Sequence, residues 1–480
     1  MNRTIARLKP LLTAIPYRHV RFYSKQNVIF LTEKELQSFD SLDDSVKARS
    51  FDIPDDFDDV PSEPVVRFSP EAEFGRKRIG CVELPQPLVK GITDLINDHD
   101  KRLVRTDALR IYEALRSTAR LPKEEDKPLN RWEKKKDKAR KKVSPVTEPH
   151  TLSYGPRESV AYAAGAMAST YGAIYNVLAE VAKRIPEFNP KTMLDFGTGP
   201  GTAIWAAREL FNVEKFEGVD LSEDMLRVAE RLEGKLSMHG ENRYTPIDFK
   251  RYLAIHPSAP KTDLVISAFT IGDIPSAALQ KSTVAQLWDQ TGDLLVLVER
   301  GTPIGSANIA RARQWILDSE REQGGAVHTV APYPHDLPCP MLYSPDAKPE
   351  QMWQHFSQRV QRPPFLMRTK HSKLNTEDAT YSYCIMRRGP RPQPTEESSL
   401  EMQAYNWPRL IQPPLKRKGH VVMDISAANG EIQRMVIPKS QGKVPYRDAR
   451  KAMWGDLFPH LSKNKIVTRM SKGVPESESD

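Results

Sequence analysis

From about residue 150 the hydrophobic and polar positions fall into two alternating rhythms. In "ESVAYAAGAMASTYGAIYNVLAEVAKRI" small and apolar residues recur every three or four positions, which predicts a helical stretch. "TMLDF" follows as a short continuous apolar run and predicts a first strand. "KFEGVDLS" predicts a second strand ending at Asp220, and "EDMLRVAERLEG" the next helix. "DLVISAFT", "DLLVLVER" and "TYSYCIMRR" supply further strands rich in apolar and β-branched residues. Strands and helices that alternate in this way imply an α/β fold, a doubly wound and largely parallel sheet covered on both faces. Upstream, "LPQPLVKGITDLINDHDKRLVRTDALRIYEALRS" has the three- and four-residue spacing of two helices.

The flanks have a different character. Residues 1–23 hold Arg3, Arg7, Lys9, Arg18 and Arg21 and no acid, the composition of a mitochondrial transit peptide, and "RFYS" at 21–24 fits processing before Ser24. Residues 24–69 contain "DSLDDSVKARSFDIPDDFDDVPSEP", acidic and interrupted by prolines, which reads as a linker or docking arm. Residues 70–150 form a helical extension that ends in a basic linker, "RWEKKKDKARKK" at 131–142. The α/β domain takes 151–390, and 391–480 reads as a small β-rich, basic extension. A formal net charge of +9 over 480 residues suits an anionic partner, nucleic acid above all. Three cysteines exclude a disulfide framework and point to a reducing compartment. No apolar run approaches the ~20 residues that span a bilayer.

"MLDFGTGPGTAIWAA", 193–207, places Gly197, Gly199 and Gly201 directly after the first strand. On a doubly wound sheet, ligands bind at the carboxyl ends of the strands near the switch point. Dinucleotide enzymes space their glycines as G-x-G-x-x-G, so that a helix N-terminus meets a pyrophosphate. Here the spacing is G-x-G-x-G, with Pro200 in the fourth place and Asp195 two residues ahead of the first glycine. An acid there suits a cationic amine. S-adenosylmethionine carries such an amine, no phosphate, and a ribose diol that a carboxylate at Asp220 would take. A side chain at Gly197 or Gly199 would hold the backbone away from that ligand. Asp248, in "TPIDFKRY", is a further candidate at the end of the third strand near the adenine, with a helix cap as the alternative. The expected fold is therefore a class I S-adenosylmethionine methyltransferase-like domain with a helical N-terminal and a β-rich C-terminal extension.

"SYGPRESVAYAAGAMASTYGAIYNVL", "MLDFGTGPGTAIWAA", "LVLVERGTPIGSANIARARQWIL", "APYPHDLPCPM", "WQHFSQRV", "PPLKRKGHVVMD" and "YRDARKAMWGDLFP" together resemble the mitochondrial small-ribosomal-subunit methyltransferase-like assembly factors. The resemblance runs in order from about 70 to 460. It implies a protein of the mitochondrial matrix that binds the small subunit, its rRNA and its ribosomal proteins during maturation. It also implies a four-cysteine iron–sulfur site, at positions that read Tyr333, Cys339, Gln354 and Ser426 in this chain. One thiol among four positions is too few for a cluster, so its absence is expected. His335, His355 and Cys339 match no standard zinc spacing, and Cys384 reads as a buried strand residue.

The stretch after the fourth strand, "SAFTIGDIPS", has neither the Asn/Asp-Pro-Pro-aromatic motif of amino methylases nor a cysteine for C5 chemistry. Asp273 and Glu299 are the nearest ionisable residues, as acceptor-side bases or as loop acids, and no catalytic residue is assigned. For RNA, Lys416, Arg417 and Lys418 stand just before a strand, and Arg447, Arg450 and Lys451 on a helix near Trp454. The expectation is an assembly factor that binds S-adenosylmethionine with little or no methyl transfer; an active rRNA methyltransferase is the alternative.

Overall fold

The computed structural model describes residues 68–117, 153–237, 245–254, 260–395 and 397–474, and a two-residue parallel pairing of Thr4–Ile5 with Val28–Ile29. Residues 1–67 and 68–480 form separate units. The acidic arm and the basic run at 131–142 lie outside the described residues, as does the expected processing site at Ser24.

The strands of the main sheet are, in chain order, β1 (Cys81–Val82), β2 (Thr192–Phe196), β3 (Lys215–Val219), β4 (Ile247–Lys250), β5 (Thr262–Ala268), β6 (Thr291–Arg300), β7 (Val327–Ala331), β8 (Phe356–Gln361) and β9 (Thr376–Arg388). Across the sheet they run β4–β3–β2–β5–β6–β9–β8–β1, with β7 also on β9. Strands β2 to β6 are parallel to their neighbours, and β9 is antiparallel to β6. The outer edge of β9 is long enough for two partners: Thr376–Tyr381 pairs with β8 and Ile385–Arg388 with β7. The chain builds outward from β2 through β3 and β4, then returns to the other side of β2 with β5. The carboxyl end of β2 is thus the switch point, and residues 197–201 form the loop there.

The apolar runs read from the sequence are buried on both faces. Met193, Leu264, Ile266, Leu294, Val296 and Val298 pack with one layer of helices, including Met167–Arg184 and Thr202–Arg208. Leu194, Val265, Leu295 and Leu297 pack on the opposite layer, Ala277–Gln290 and Pro303–Glu322. This is the period-two alternation of a strand between two helical layers. The two upstream helices, Gln86–Asn97 and Lys101–Ser117, form as expected, and Leu88, Ile92 and Leu95 join the first core.

The helical stretch at 156–184 differs from expectation by breaking at Ala166 into Pro156–Gly165 and Met167–Arg184. A Cβ on Gly165 would stand 2.9 Å from the Ala108 Cβ, so the glycine lets helix Lys101–Ser117 cross closely.

A second, antiparallel sheet follows: β10 (Arg409–Leu410), β11 (Leu415–Arg417), β12 (His420–Ser426), β13 (Ile432–Pro438) and β14 (Val467–Met470). Helix Lys443–Lys451 packs on it through Ala449. A buried ionic knot ties this sheet to the main domain. Glu180 accepts from Lys77 Nζ at 2.7 Å, Tyr383 Oη at 2.6 Å and Arg409 at 2.6 Å. Burial pushes the Glu180 carboxyl up, but Arg409, Lys77 and Arg184 outweigh it and hold it well below the usual range.

Candidate functional site

The glycine loop is shaped by its backbone. Gly197, Gly199 and Gly201 all have positive φ, at 73°, 52° and 82°. The Gly197 and Thr198 amides donate to the Val219 carbonyl, which folds the loop across β3. The two leading glycines then serve different ends. A Cβ on Gly197 would meet Thr270 Oγ1 at 2.0 Å, so this glycine is required by packing against the end of β5. A Cβ on Gly199 would meet nothing within 4 Å: it faces open space where a ligand would lie.

Asp195 is 1% exposed at the base of the loop, and Thr198 Oγ1 donates to its Oδ2 at 2.7 Å. Burial pushes its carboxyl up to about 7, against the pull of that hydrogen bond, and Asp220 adds to the rise. Asp220 stands one residue past β3. Its Oδ2 accepts from the Gly199 amide and its Oδ1 from the Ser222 amide, both at 2.8 Å. A carboxylate has about four lone-pair sites, so each oxygen retains capacity for a diol. Burial raises its pKa as well, against those two amides. These residues fit S-adenosylmethionine: two carboxylates with no ion-pair partner among the described residues, beside a glycine that opens onto free space.

Asp248 does not stand where the sequence placed it. It is the second residue of β4, level with Glu217 and two residues short of the strand's carboxyl end at Lys250. Its carboxylate is exposed and lies 3.0 Å from Lys250 Nζ. The strand continues to Lys250, whose carbonyl accepts from the Asp220 amide at 3.1 Å, so Lys250 rather than Asp248 marks the strand end beside Asp220.

Several residues without an assigned role in the sequence complete the cleft. Phe269, directly after β5, holds a non-glycine φ of 60°, a costly conformation that clusters at functional sites. Tyr154 is anchored by its carbonyl, which accepts from Ser222 Oγ at 2.6 Å, and its ring packs edge-on to Tyr162. Arg300, at the end of β6, lies 3.9 Å from Asp273. Burial raises the Asp273 pKa, Arg300 opposes, and Asp220 adds to the rise. Glu299 is different: it is 2% exposed, accepts from the Gly272 amide at 2.9 Å, and is pushed up to about 7 by burial. It braces the turn at 271–273. Asp273 is the acid that remains toward the cleft. The only sequence signal for Tyr154 was its place just before a Gly-Pro helix start, and Arg300 and Phe269 gave none.

The four positions at which the resemblance implies a cluster are buried, and their side chains do not fit one. Cys339 Sγ accepts from Tyr333 Oη at 3.5 Å, and burial raises the thiol pKa, which disfavours the thiolate that iron requires. Arg313 lies over the Tyr333 ring at 4.5 Å and donates to the Leu337 carbonyl at 2.9 Å, holding the loop by stacking and hydrogen bonds. Gln354 and Ser426 are buried, 3% and 1% exposed. Among the described residues no group of three His, Cys, Asp or Glu side chains could hold a metal ion. Cys384 is buried in β9, as expected.

The basic candidates partly converge. Lys416 and Arg417 lie within β11, and Lys418 occupies the tight turn with Gly419, φ 86°, so all three stand just before β12 as the sequence implied. Arg450 donates to the Arg417 carbonyl at 3.5 Å, so the hairpin and helix Lys443–Lys451 present one face. Burial and Arg450 lower the Lys416 pKa. Lys451 packs over the Phe68 ring at 4.9 Å, and Arg447 lies 3.4 Å from Asp448. Trp454 is half-buried against His355, centroids 4.7 Å apart, and that ring stacks in turn on Trp353. It anchors the C-terminal segment to the "WQHF" segment rather than offering a free face.

The family described as the mitochondrial small ribosomal subunit protein Rsm22 matches residues 156–459. The human mitochondrial ribosome assembly protein METTL17 is 33% identical over 334 residues, 68% of each chain. The Saccharomyces cerevisiae mitochondrial ribosome assembly protein RSM22 is 24% identical, over 67% of this chain and 70% of its own. Among solved structures, a Synechocystis magnesium protoporphyrin IX methyltransferase with bound S-adenosylmethionine shares 12% identity at a TM-score of 0.28, over 50% of this chain and 86% of its own. Strand order, not that superposition, defines the fold.

Proposed function

Because this chain belongs to the Rsm22 family of mitochondrial small ribosomal subunit proteins, we propose that it is an assembly factor of that subunit, acting in the mitochondrial matrix. It would bind rRNA and ribosomal proteins through the C-terminal face, with the methyltransferase-like core retaining a donor cleft. The acid-free basic start of the chain supports import. The observation that carries the reading is the pairing of a complete donor cleft with an acceptor side poor in reactive groups. Asp195, Asp220 and an open Gly199 fit the amine and ribose of S-adenosylmethionine. After β5, the segment Phe269–Pro275 offers Asp273 alone among ionisable side chains and no cysteine. When bound, that ligand supplies an electrophilic methyl group. The chain's own residues hold it: Asp220 orients the ribose, the Gly199 backbone lies close, and Asp195 supports the loop and provides negative potential.

The RNA reading is tested by salt. Lys416, Arg417 and Lys418 would neutralise phosphates and release counterions, so affinity should fall steeply as salt rises. Reversing all three to glutamate should lower affinity across RNA sequences alike and reduce the slope of log affinity against log salt by about 2–3. Sedimentation with isolated small subunits at several salt concentrations measures both. Salt-independent association would mean that protein contacts dominate. One observation favours the alternative, an active rRNA methyltransferase: Phe269 is strained where an acceptor would approach.

A further inference from the structure

We propose that the open cavity beside the donor cleft seats an unpaired nucleotide of single-stranded RNA. This rests on the reading that the chain binds rRNA, and adds a site that the C-terminal basic face does not provide. The cavity has a volume of about 850 Å³, within the range of roughly 300–1,000 Å³ typical of small-ligand sites. It adjoins the donor cleft directly. Phe269 lines it, and the next residue, Thr270, stands against Gly197. Arg300 lines it and also faces Asp273.

The walls differ in chemistry. One is helix Lys101–Ser117, which presents Leu109 and a Tyr112 that is 47% exposed. The other is the polar edge around β8 and β9, with Arg359, Arg362 and Lys370. The lining as a whole carries four cationic side chains, Arg300 among them, against two carboxylates: Arg359 pairs with Asp378, while Arg362 and Lys370 share Glu377. An aromatic face beside a net positive rim is the pairing that single-stranded nucleic acid requires: a base stacks while phosphates lie along the cations. Lys370 Nζ, 5.1 Å from the Tyr112 ring centroid, brings both features to one spot.

The test uses the full chain and a short unstructured oligoribonucleotide, with a duplex of the same sequence as control. Tyr112→Ala should weaken single-strand binding about tenfold, leave duplex binding unchanged, and leave the thermal midpoint near that of the unaltered chain. Tyr112→Phe keeps the ring and should restore the affinity. Ultraviolet crosslinking of a thiouridine-substituted strand should map to peptides spanning 101–117 or 356–370. If the unaltered chain binds neither RNA, the rRNA reading itself falls. If it binds RNA but Tyr112→Ala stays within twofold, or crosslinks map only to 415–451, the groove proposal alone falls. Displacement by an acidic peptide and not by single-stranded RNA would also overturn it.

Discussion

At the scale of single residues, Asp195 links the fold to its ligand through a proton. Its carboxyl titrates near 7 in the folded chain because it is buried, against about 3.9 when unfolded. The folded state therefore holds the extra proton between about 4 and 7, and stability from this group is lost as pH rises through that window. A bound cation changes the balance by favouring the carboxylate. Donor binding should then release a proton, and S-adenosylmethionine affinity should rise from pH 5 to 7 by up to about tenfold per unit. Calorimetry in two buffers of different ionisation enthalpy reads the proton directly. A flat affinity with no buffer dependence would remove Asp195 from the donor's field. Asp195→Asn, which keeps an acceptor for Thr198, should abolish the pH dependence.

At the scale of elements, the Glu180 knot is what fixes the second sheet to the first. Three donors converge on one buried carboxylate, so removing it strands Arg409 and Lys77 without their counter-charge. Glu180→Ala should cost roughly 3–5 kcal/mol, seen as a lower urea midpoint; an unchanged midpoint would mean that apolar packing alone joins the sheets. Nothing in the sequence announced this knot, because Lys77, Glu180 and Arg409 are far apart along the chain. Strands β2, β5, β6 and the buried second half of β9 were legible because burial on both faces makes them near-continuous apolar runs. Strand β8 was not: "FSQRVQ" alternates buried and exposed positions at a sheet margin, and four of its six residues are polar. The helix break at Ala166 was hidden by alanine, a strong helix former. The donor loop was legible because its glycines and Asp195 are neighbours in sequence. Arg300, Asp273 and the groove wall at Tyr112 meet only through the crossing of distant elements. Asp248 was misplaced because β4, "IDFK", is short and ends on a lysine, so its apolar pattern did not mark its carboxyl end.

At the scale of the whole molecule, the question is whether a donor cleft within an assembly factor acts by occupancy or by transfer. Asp220 separates the two. Its carboxylate is half-buried beside the open loop, and its bonds to Gly199 and Ser222 brace that loop. Asp220→Ala removes the ribose contact and should cost on the order of 1–3 kcal/mol of donor binding. Asp220→Asn keeps one acceptor for a backbone amide, so comparing the two variants by thermal melting separates lost bracing from lost binding. In cells depleted of the natural chain, a folded Asp220→Ala that fails to restore small subunits while every rRNA methyl group persists would show that the occupied cleft, not its product, is what maturation needs. Loss of one methyl group in step with the assembly defect would make the protein an enzyme, with Asp273 and the strained Phe269 as the place to look for its acceptor. Normal assembly with Asp220→Ala would reduce the loop to scaffold. Asp195 and Asp220, with no ion-pair partner among the described residues, and the open Gly199 are the features on which the first outcome would rest.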